Sequence, residues 1–256
     1  MSGKSKAGMP TLKLIMLGIL GGIITALTAM GSNTVIATLT NPSIAKFVSA
    51  LPFPIGTMIC IGMGAELFTG DTSISISLLT KEISAKQFFR ILLTVYVSNF
   101  AGALMIVFAL PFINHFQGLG NMVGAITIDC AQGKVNQSFL SAFIKGILCA
   151  ILVVSGVIMS SHTTHLYQKL IIAGLPVFLF IICGFEQCVV NMYYIPAGIM
   201  AAQTEAYRIL SASGGGLLTW SNFLWHNLIP ATLGNFIGGA GIVGGSYWYC
   251  FIKNPQ

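Results

Sequence analysis

Charge is what this sequence has least of. Six acidic and 12 basic residues among 256 leave 7% of the chain charged against 55% hydrophobic, with a mean hydropathy of +0.86. No water-soluble domain carries that balance without aggregating, so the solvent of this chain is lipid. Paired cysteines are missing as well. Cys60, Cys130, Cys149, Cys183, Cys188 and Cys250 are scattered, all but Cys130 in apolar runs and none in a CxxC pair, which argues against both a disulfide framework and a metal site. No basic stripe is interleaved with aromatics, so nucleic acid is not expected as a partner, and the net charge of +6 is assigned to membrane orientation. The apolar runs hold no nucleophile with its base, no metal-ligand cluster and no phosphate loop, so neither an enzyme nor a cofactor is expected, and a membrane sensor fares no better. The polar, basic stretch MSGKSKAGMPTLK is followed by an apolar run without a small-residue cleavage site, which reads as a retained first helix.

What is present is a series of long apolar stretches, at residues 12–30, 47–79, 88–112, 139–160, 170–201 and 223–252. At about 20 residues per span these make six transmembrane helices. Residues 1–256 then form a single transmembrane domain, with a short cytoplasmic segment at about 1–11. The second and fifth stretches are longer than a straight span needs and carry polar residues near their middle, which predicts interrupted helices. Lys4, Lys6, Lys13, Lys81, Lys86, Arg90, Lys169 and Lys253 fall on one side of the membrane, against Lys46, Lys134, Lys145 and Arg208 on the other. By the positive-inside rule both termini are cytoplasmic.

The two halves echo each other. Gly64-Ala65-Glu66 in the second stretch and Gly184-Phe185-Glu186 in the fifth both read GxE; Asn99-Phe100-Ala101-Gly102 in the third and Asn235-Phe236-Ile237-Gly238 in the sixth share NFxG. Gly21-Gly22 and Gly146 add a weaker match between the first and fourth. Three spans per half is an odd number, so the second copy enters the membrane from the opposite side and the repeat is inverted.

Glu66 and Glu186 lie in apolar runs, where an ionised carboxylate costs roughly 2 kcal/mol or more unless donors meet it. A broken helix leaves backbone N–H groups free, and each glutamate is expected to accept them and clamp its break open; a proton-carrying or cation-binding pair is the functional alternative. Polar groups follow each glutamate: Thr69, Gly70, Asp71, Thr72 and Ser73 in one half, Gln187 and Asn191 in the other. Unwound backbone at membrane depth implies an adjacent cavity, and restarting half-helices aim positive ends at it, favouring a negative solute.

The strings MGAELFTGDTS, GFEQCVVNMYYIPAGI and NLIPATLGNFIGGAGIVGGSYW resemble the interrupted-helix signatures and last helix of the formate/nitrite transporter family, and the resemblance extends over all six spans. It implies an all-α integral membrane fold of six transmembrane helices in two inverted three-helix repeats, with helices 2 and 5 interrupted in an aquaporin-like protomer, assembled as a homopentamer in a bacterial inner (plasma) membrane. It implies a channel for small monovalent anions of weak acids: formate, nitrite or hydrosulfide. By position, Leu67, Phe68 and Thr69 match the loop of the first break, Phe53, Leu67 and Phe180 the constrictions, and Lys134 a lysine that draws anions toward the pore. Glu186 and Asn191 match residues that shape the second break. Relatives place a histidine after the second glutamate where this chain has Gln187, and an asparagine in the fourth span where this chain has Ala150.

Gln187 donates N–H but does not titrate near neutral pH, so passive or proton-linked anion flux stands beside an aquaporin-like neutral-solute channel. Simpler readings also stand: Lys134 as a loop lysine, Phe53 and Phe180 as packing aromatics, Lys145 as a snorkelling side chain, and Asp71 as an N-cap of the restarting helix. His115, His162, His165 and His226 lie in loops or near span ends, away from the central site.

Overall fold

The computed structural model describes residues 3–253, which contain helices and no strand; the ends of the proposed 1–256 domain, residues 1–2 and 254–256, lie outside the described residues. A short helix α1 (Gly3–Ala7) precedes α2 (Thr11–Ile36). Then come α3 (Pro42–Ala50) and α4 (Pro52–Met63), running as one apolar stretch, and α5 (Phe68–Asp71), which passes through the 3-10 turn Thr72–Ile74 into α6 (Ser75–Leu79). The chain continues as α7 (Ala85–Ala109), α8 (Met122–Val135), α9 (Phe139–Ser161), α10 (Leu166–Cys183), α11 (Cys188–Ala201), α12 (Glu205–Leu210) and α13 (Trp220–Lys253), the last with π-helical turns. Among the described residues six helices are long and apolar enough to cross a membrane: Thr11–Ile36, Pro42–Met63, Ala85–Ala109, Phe139–Ser161, Leu166–Cys183 and Trp220–Lys253.

Local chemistry sets the ends. Asn41 accepts the Ile44 N–H at 3.1 Å ahead of Pro42, the fixed φ of proline suiting the first helical position. Ser84 and Gln87 close a reciprocal capping box on α7, and Ser138 caps α9 through the Ser141 N–H. The stops of α4 and α10 are glycines in left-handed conformation, Gly64 at φ 71° and Gly184 at φ 70°, where any side chain would be strained.

The polarity of the fold is inverted relative to a soluble protein. Leu93, Met105, Phe112 and Leu175 are more than half exposed, as lipid-facing side chains are, while Asn33, Asn99, Asn191, Asn227 and Asn235 have no accessible surface. Small residues bring backbones together. A Cβ on Gly102 of α7 would lie 2.2 Å from the Ile19 carbonyl oxygen of α2, and one on Gly238 of α13 would lie 2.4 Å from the Ile147 carbonyl oxygen of α9.

Several elements differ from the sequence expectation. The first span continues to Ile36, because Ser32 and Asn33 bury their polar groups inside the protein instead of ending the helix; Ser32 donates to the Ser49 carbonyl at 2.8 Å and Asn33 to Thr127 at 3.1 Å. The region ahead of the fourth span is not a plain loop: it carries α8, and Lys134 sits in its last turn. The N-terminal segment holds helix α1, pinned by Arg90, which donates to the Ala7 carbonyl at 2.8 Å and to Thr11 at 3.2 Å.

Candidate functional site: two helix breaks and the cavity between them

Between α4 and α5, and again between α10 and α11, the chain leaves helical geometry for a few residues. Leu67 (φ −127°) and Gln187 (φ −111°) are extended, each directly ahead of the helix that restarts. Both breaks are satisfied in the same way, and the key residue in each is the asparagine of an NFxG motif. Asn99 Oδ1 accepts the Phe68 N–H at 3.0 Å, while its Nδ2 donates to the carbonyls of Gly18 at 2.8 Å and Glu66 at 2.9 Å. Asn235 Oδ1 accepts the Cys188 N–H at 2.9 Å, while its Nδ2 donates to the carbonyls of Gly146 at 2.8 Å and Glu186 at 2.9 Å. The backbone N–H of each glutamate crosses to a neighbouring span, Glu66 to the Leu17 carbonyl at 3.1 Å and Glu186 to the Lys145 carbonyl at 3.4 Å.

The glutamate carboxylates therefore do something other than the sequence suggested. Neither accepts the restarting N–H; each meets a lysine. Glu66 Oε2 and Asp71 Oδ1 both receive the ammonium of Lys6, at 2.5 Å for Glu66. Glu186 Oε2 receives Lys134 at 3.1 Å, Asn191 at 2.6 Å and Asn227 at 3.2 Å. Side-chain donors displace the backbone because an ammonium bonds a carboxylate more strongly than a neutral N–H does. Asp71 forms no capping bond; its partner is Lys6. Lys6 is 7% exposed. Burial alone would lower its pKa, and the Asp71 and Glu66 carboxylates more than offset that and raise it. Lys134 also lies over the Tyr194 ring, 5.3 Å from its centroid. Lys145 reaches Gln137 Oε1 at 3.1 Å rather than the path.

A cavity of about 20 Å³, room for roughly one water, opens where the breaks meet, lined among others by Thr25, Thr28, Phe53, Thr57, Leu67 and Gln187. It unites three residues singled out in the sequence: Phe53, Leu67 and Gln187. Phe180, Phe68, Thr69 and Asn191 are buried beside it without lining it. The Phe68 ring packs on Tyr96 with centroids 5.0 Å apart. Thr69 donates to Asn235 Oδ1 at 3.4 Å, tying the first break to the second, and Asn191 joins Glu186 to Asn227. Ala150 is fully buried. Sequence reasoning missed Lys6, Asn227 and the threonines Thr25, Thr28 and Thr57. Threonine in an apolar span carries little signal, and Lys6 sits in a stretch that reads as a polar tail. Asn99 and Asn235 were visible as a repeated motif whose task was not.

The sequence profile described as formate/nitrite transporter matches residues 1–249. The formate channel FocA of Escherichia coli (strain K12) is 32% identical over 98% of this chain and 91% of its own length, and the uncharacterized transporter YrhG of Bacillus subtilis (strain 168) is 33% identical over 100% and 91%. A solved pentameric formate channel with formate bound superposes with a TM-score of 0.82 at 30% identity, covering 93% of this chain and 96% of that one. With six apolar spans and this match along nearly its whole length, the chain belongs to the formate/nitrite transporter family, a family of multi-pass membrane channels and transporters rather than enzymes.

Proposed function

We propose that this protein conducts small monovalent anions of weak acids, of the formate, nitrite and hydrosulfide class, passively or linked to protons, along a path through the cavity at the two breaks. The observation that carries this reading is the pairing of Gln187 and Leu67 across a small cavity inside the membrane domain, in a family whose curated relatives include formate channels. Lys134 and the positive end of α11 concentrate an anion; Phe53, Leu67 and Phe180 narrow the path, and the Gln187 amide offers donors between them. Phe68, Thr69 and Asn191 back that path, and Glu66 and Glu186 hold the lysines at the breaks.

Gln187 stands where the family resemblance puts a histidine, which makes the central site non-titrating. Any proton the solute takes up there comes from water. The matched bond sets of Asn99 and Asn235 support two inverted three-helix repeats with helices 2 and 5 interrupted, in an aquaporin-like protomer. Residues 1–256 act as one channel domain, the protein assembles as a homopentamer like the solved formate channel it resembles, and it lies in the inner (plasma) membrane with both termini cytoplasmic.

A cavity lined by neutral hydroxyls and an amide also suits an uncharged solute, so the test sets one against the other. In vesicles containing the purified protein, formate, nitrite or hydrosulfide gradients are expected to dissipate faster than in empty vesicles. Flux of water or glycerol without any anion-linked flux would replace the anion reading with the neutral-solute one.

A further inference from the structure

The central cavity has a hydrogen-bond polarity that its residue list does not reveal. Thr28 Oγ1 donates to the Ile24 carbonyl at 2.6 Å, and Thr57 Oγ1 donates to the Phe53 carbonyl at 3.1 Å. A hydroxyl has one proton to give, so these two oxygens can only accept from a solute in the cavity that the threonines line. The Gln187 amide and the Thr25 hydroxyl, both more than nine-tenths buried, make no hydrogen bond among the described residues and remain as donors, with the weak S–H of Cys60 beside them. The lining therefore combines hydroxyls that can only accept with an amide and a hydroxyl whose donors are free.

Thr28 is also held in place by close packing. Its side chain fills the notch left by Gly56: a Cβ there would fall 2.1 Å from Thr28 Oγ1 and 3.1 Å from both its Cβ and its Cγ2. Glycine at 56 lets α4 close on α2, and that closeness fixes Thr28 at the edge of a space of about 20 Å³ that both residues line. A bare anion carries acceptors only and would meet the lone pairs of Thr28 and Thr57 at close range. An acid bearing an O–H or S–H can place that hydrogen on Thr28 or Thr57 while its other end accepts from Gln187.

We infer that Thr28, seated against Gly56, is a specificity-determining residue. It disfavours by size acids that carry an added methyl, and favours by polarity those that present a hydrogen-bond donor. This rests on the cavity being the conduction path.

The test uses the purified full-length protein in vesicles, with formate and acetate as paired probes. Thr28→Ser keeps the oxygen and removes the methyl, and is expected to raise the acetate-to-formate flux ratio while formate flux persists. Thr28→Ala removes both and is expected to raise the ratio further, whereas the near-isosteric Thr28→Val keeps the size, leaves acetate excluded and lowers formate flux about tenfold, the equivalent of one hydrogen bond. An unchanged ratio in Thr28→Ser and Thr28→Ala, or undiminished formate flux in Thr28→Val, overturns the inference. If Thr28→Ala does not fold, Thr28→Ser carries the size arm alone. Wild-type vesicles that pass neither acid overturn the conduction reading itself, and the inference with it.

Discussion

Replacing Asn235 with alanine tests which residue holds the second break. The substitution deletes three short buried hydrogen bonds, to the Cys188 N–H at 2.9 Å and to the carbonyls of Gly146 at 2.8 Å and Glu186 at 2.9 Å, together with a longer one from the Thr69 hydroxyl at 3.4 Å. Bonds of this kind contribute roughly 0.6–1.5 kcal/mol each in membrane and soluble proteins, so Asn235→Ala is expected to cost about 2–4 kcal/mol. Asn99→Ala, which removes bonds of 3.0, 2.8 and 2.9 Å at the first break, should cost the same within about 1 kcal/mol. Asn235→Asp sharpens the experiment. It keeps the acceptor for the Cys188 N–H and turns a donor into a second acceptor facing two carbonyls, so it should be no better than alanine. Thermal unfolding of the detergent-solubilised protein, followed by tryptophan fluorescence, reads all three. An Asn235→Ala variant within 0.5 kcal/mol of wild type, or an aspartate variant that melts like wild type, would refute the assignment of the break to this amide.

Three further outcomes follow from other parts of the site. Gln187→His places a group that titrates near pH 6.5 at the cavity, so anion flux should acquire a pH dependence between pH 5 and 8; flux measured across that range with an unchanged profile would rule out this position as the seat of proton coupling. Lys6→Ala leaves Glu66 and Asp71 without their shared counter-charge and should destabilise the fold by about 3–5 kcal/mol, measurable in the same unfolding assay, with Lys6→Arg recovering a large part. Asp129 of α8 accepts the Ser211 hydroxyl at 2.6 Å and the Ala212 and Ser213 N–H groups at 3.1 and 2.8 Å. Burial raises its pKa, and those bonds more than offset this and hold it below the ordinary aspartate value. Its contribution is therefore fully present above the unfolded value near 4 and is lost as pH falls through the lower folded value. Amide exchange at Ala212 and Ser213 should be insensitive to Asp129 ionisation from pH 5 upward, and Asp129→Asn should accelerate it throughout that range.

The fold was legible in this sequence because its two strongest signals are physical necessities. A chain with 7% charged residues has to satisfy its backbone internally within lipid, which apolar runs of about 20 residues do as helices, and the glycines two residues ahead of Glu66 and Glu186 stop their helices in left-handed geometry. Of the candidate site, some proximities were legible. Leu67, Gln187 and Phe53 meet in one cavity, and Lys134 faces Glu186. What stayed hidden depends on distance in space. Lys6 is sixty residues from its partner Glu66, and nothing in a polar N-terminal stretch announces that it folds back into the membrane domain. Thr28 and Thr57 gain their meaning from the carbonyls that already hold their protons, a fact of rotamer rather than of residue type.

The division of labour between asparagine and glutamate has a chemical reason. A broken helix exposes an N–H on one side of the gap and a carbonyl on the other, and one neutral amide can accept from the first and donate to the second. A carboxylate only accepts; placed there it would satisfy Phe68 or Cys188 and repel the carbonyls of Glu66 and Glu186. With the breaks held by Asn99 and Asn235, the glutamates are free to position charge. The two ends then differ. At the first break Lys6 faces two carboxylates, Glu66 and Asp71; at the second, Lys134 faces Glu186 alone, and the Lys46 ammonium lies near the same break, 3.3 Å from where a Gly184 Cβ would stand. Counted at full ionisation, the first cluster carries a net negative charge and the second a net positive one. On the proposed path, a solute anion would then be drawn in at the Lys134 end and held least at the Lys6 end, a field polarised between two breaks that their asparagines hold in the same way.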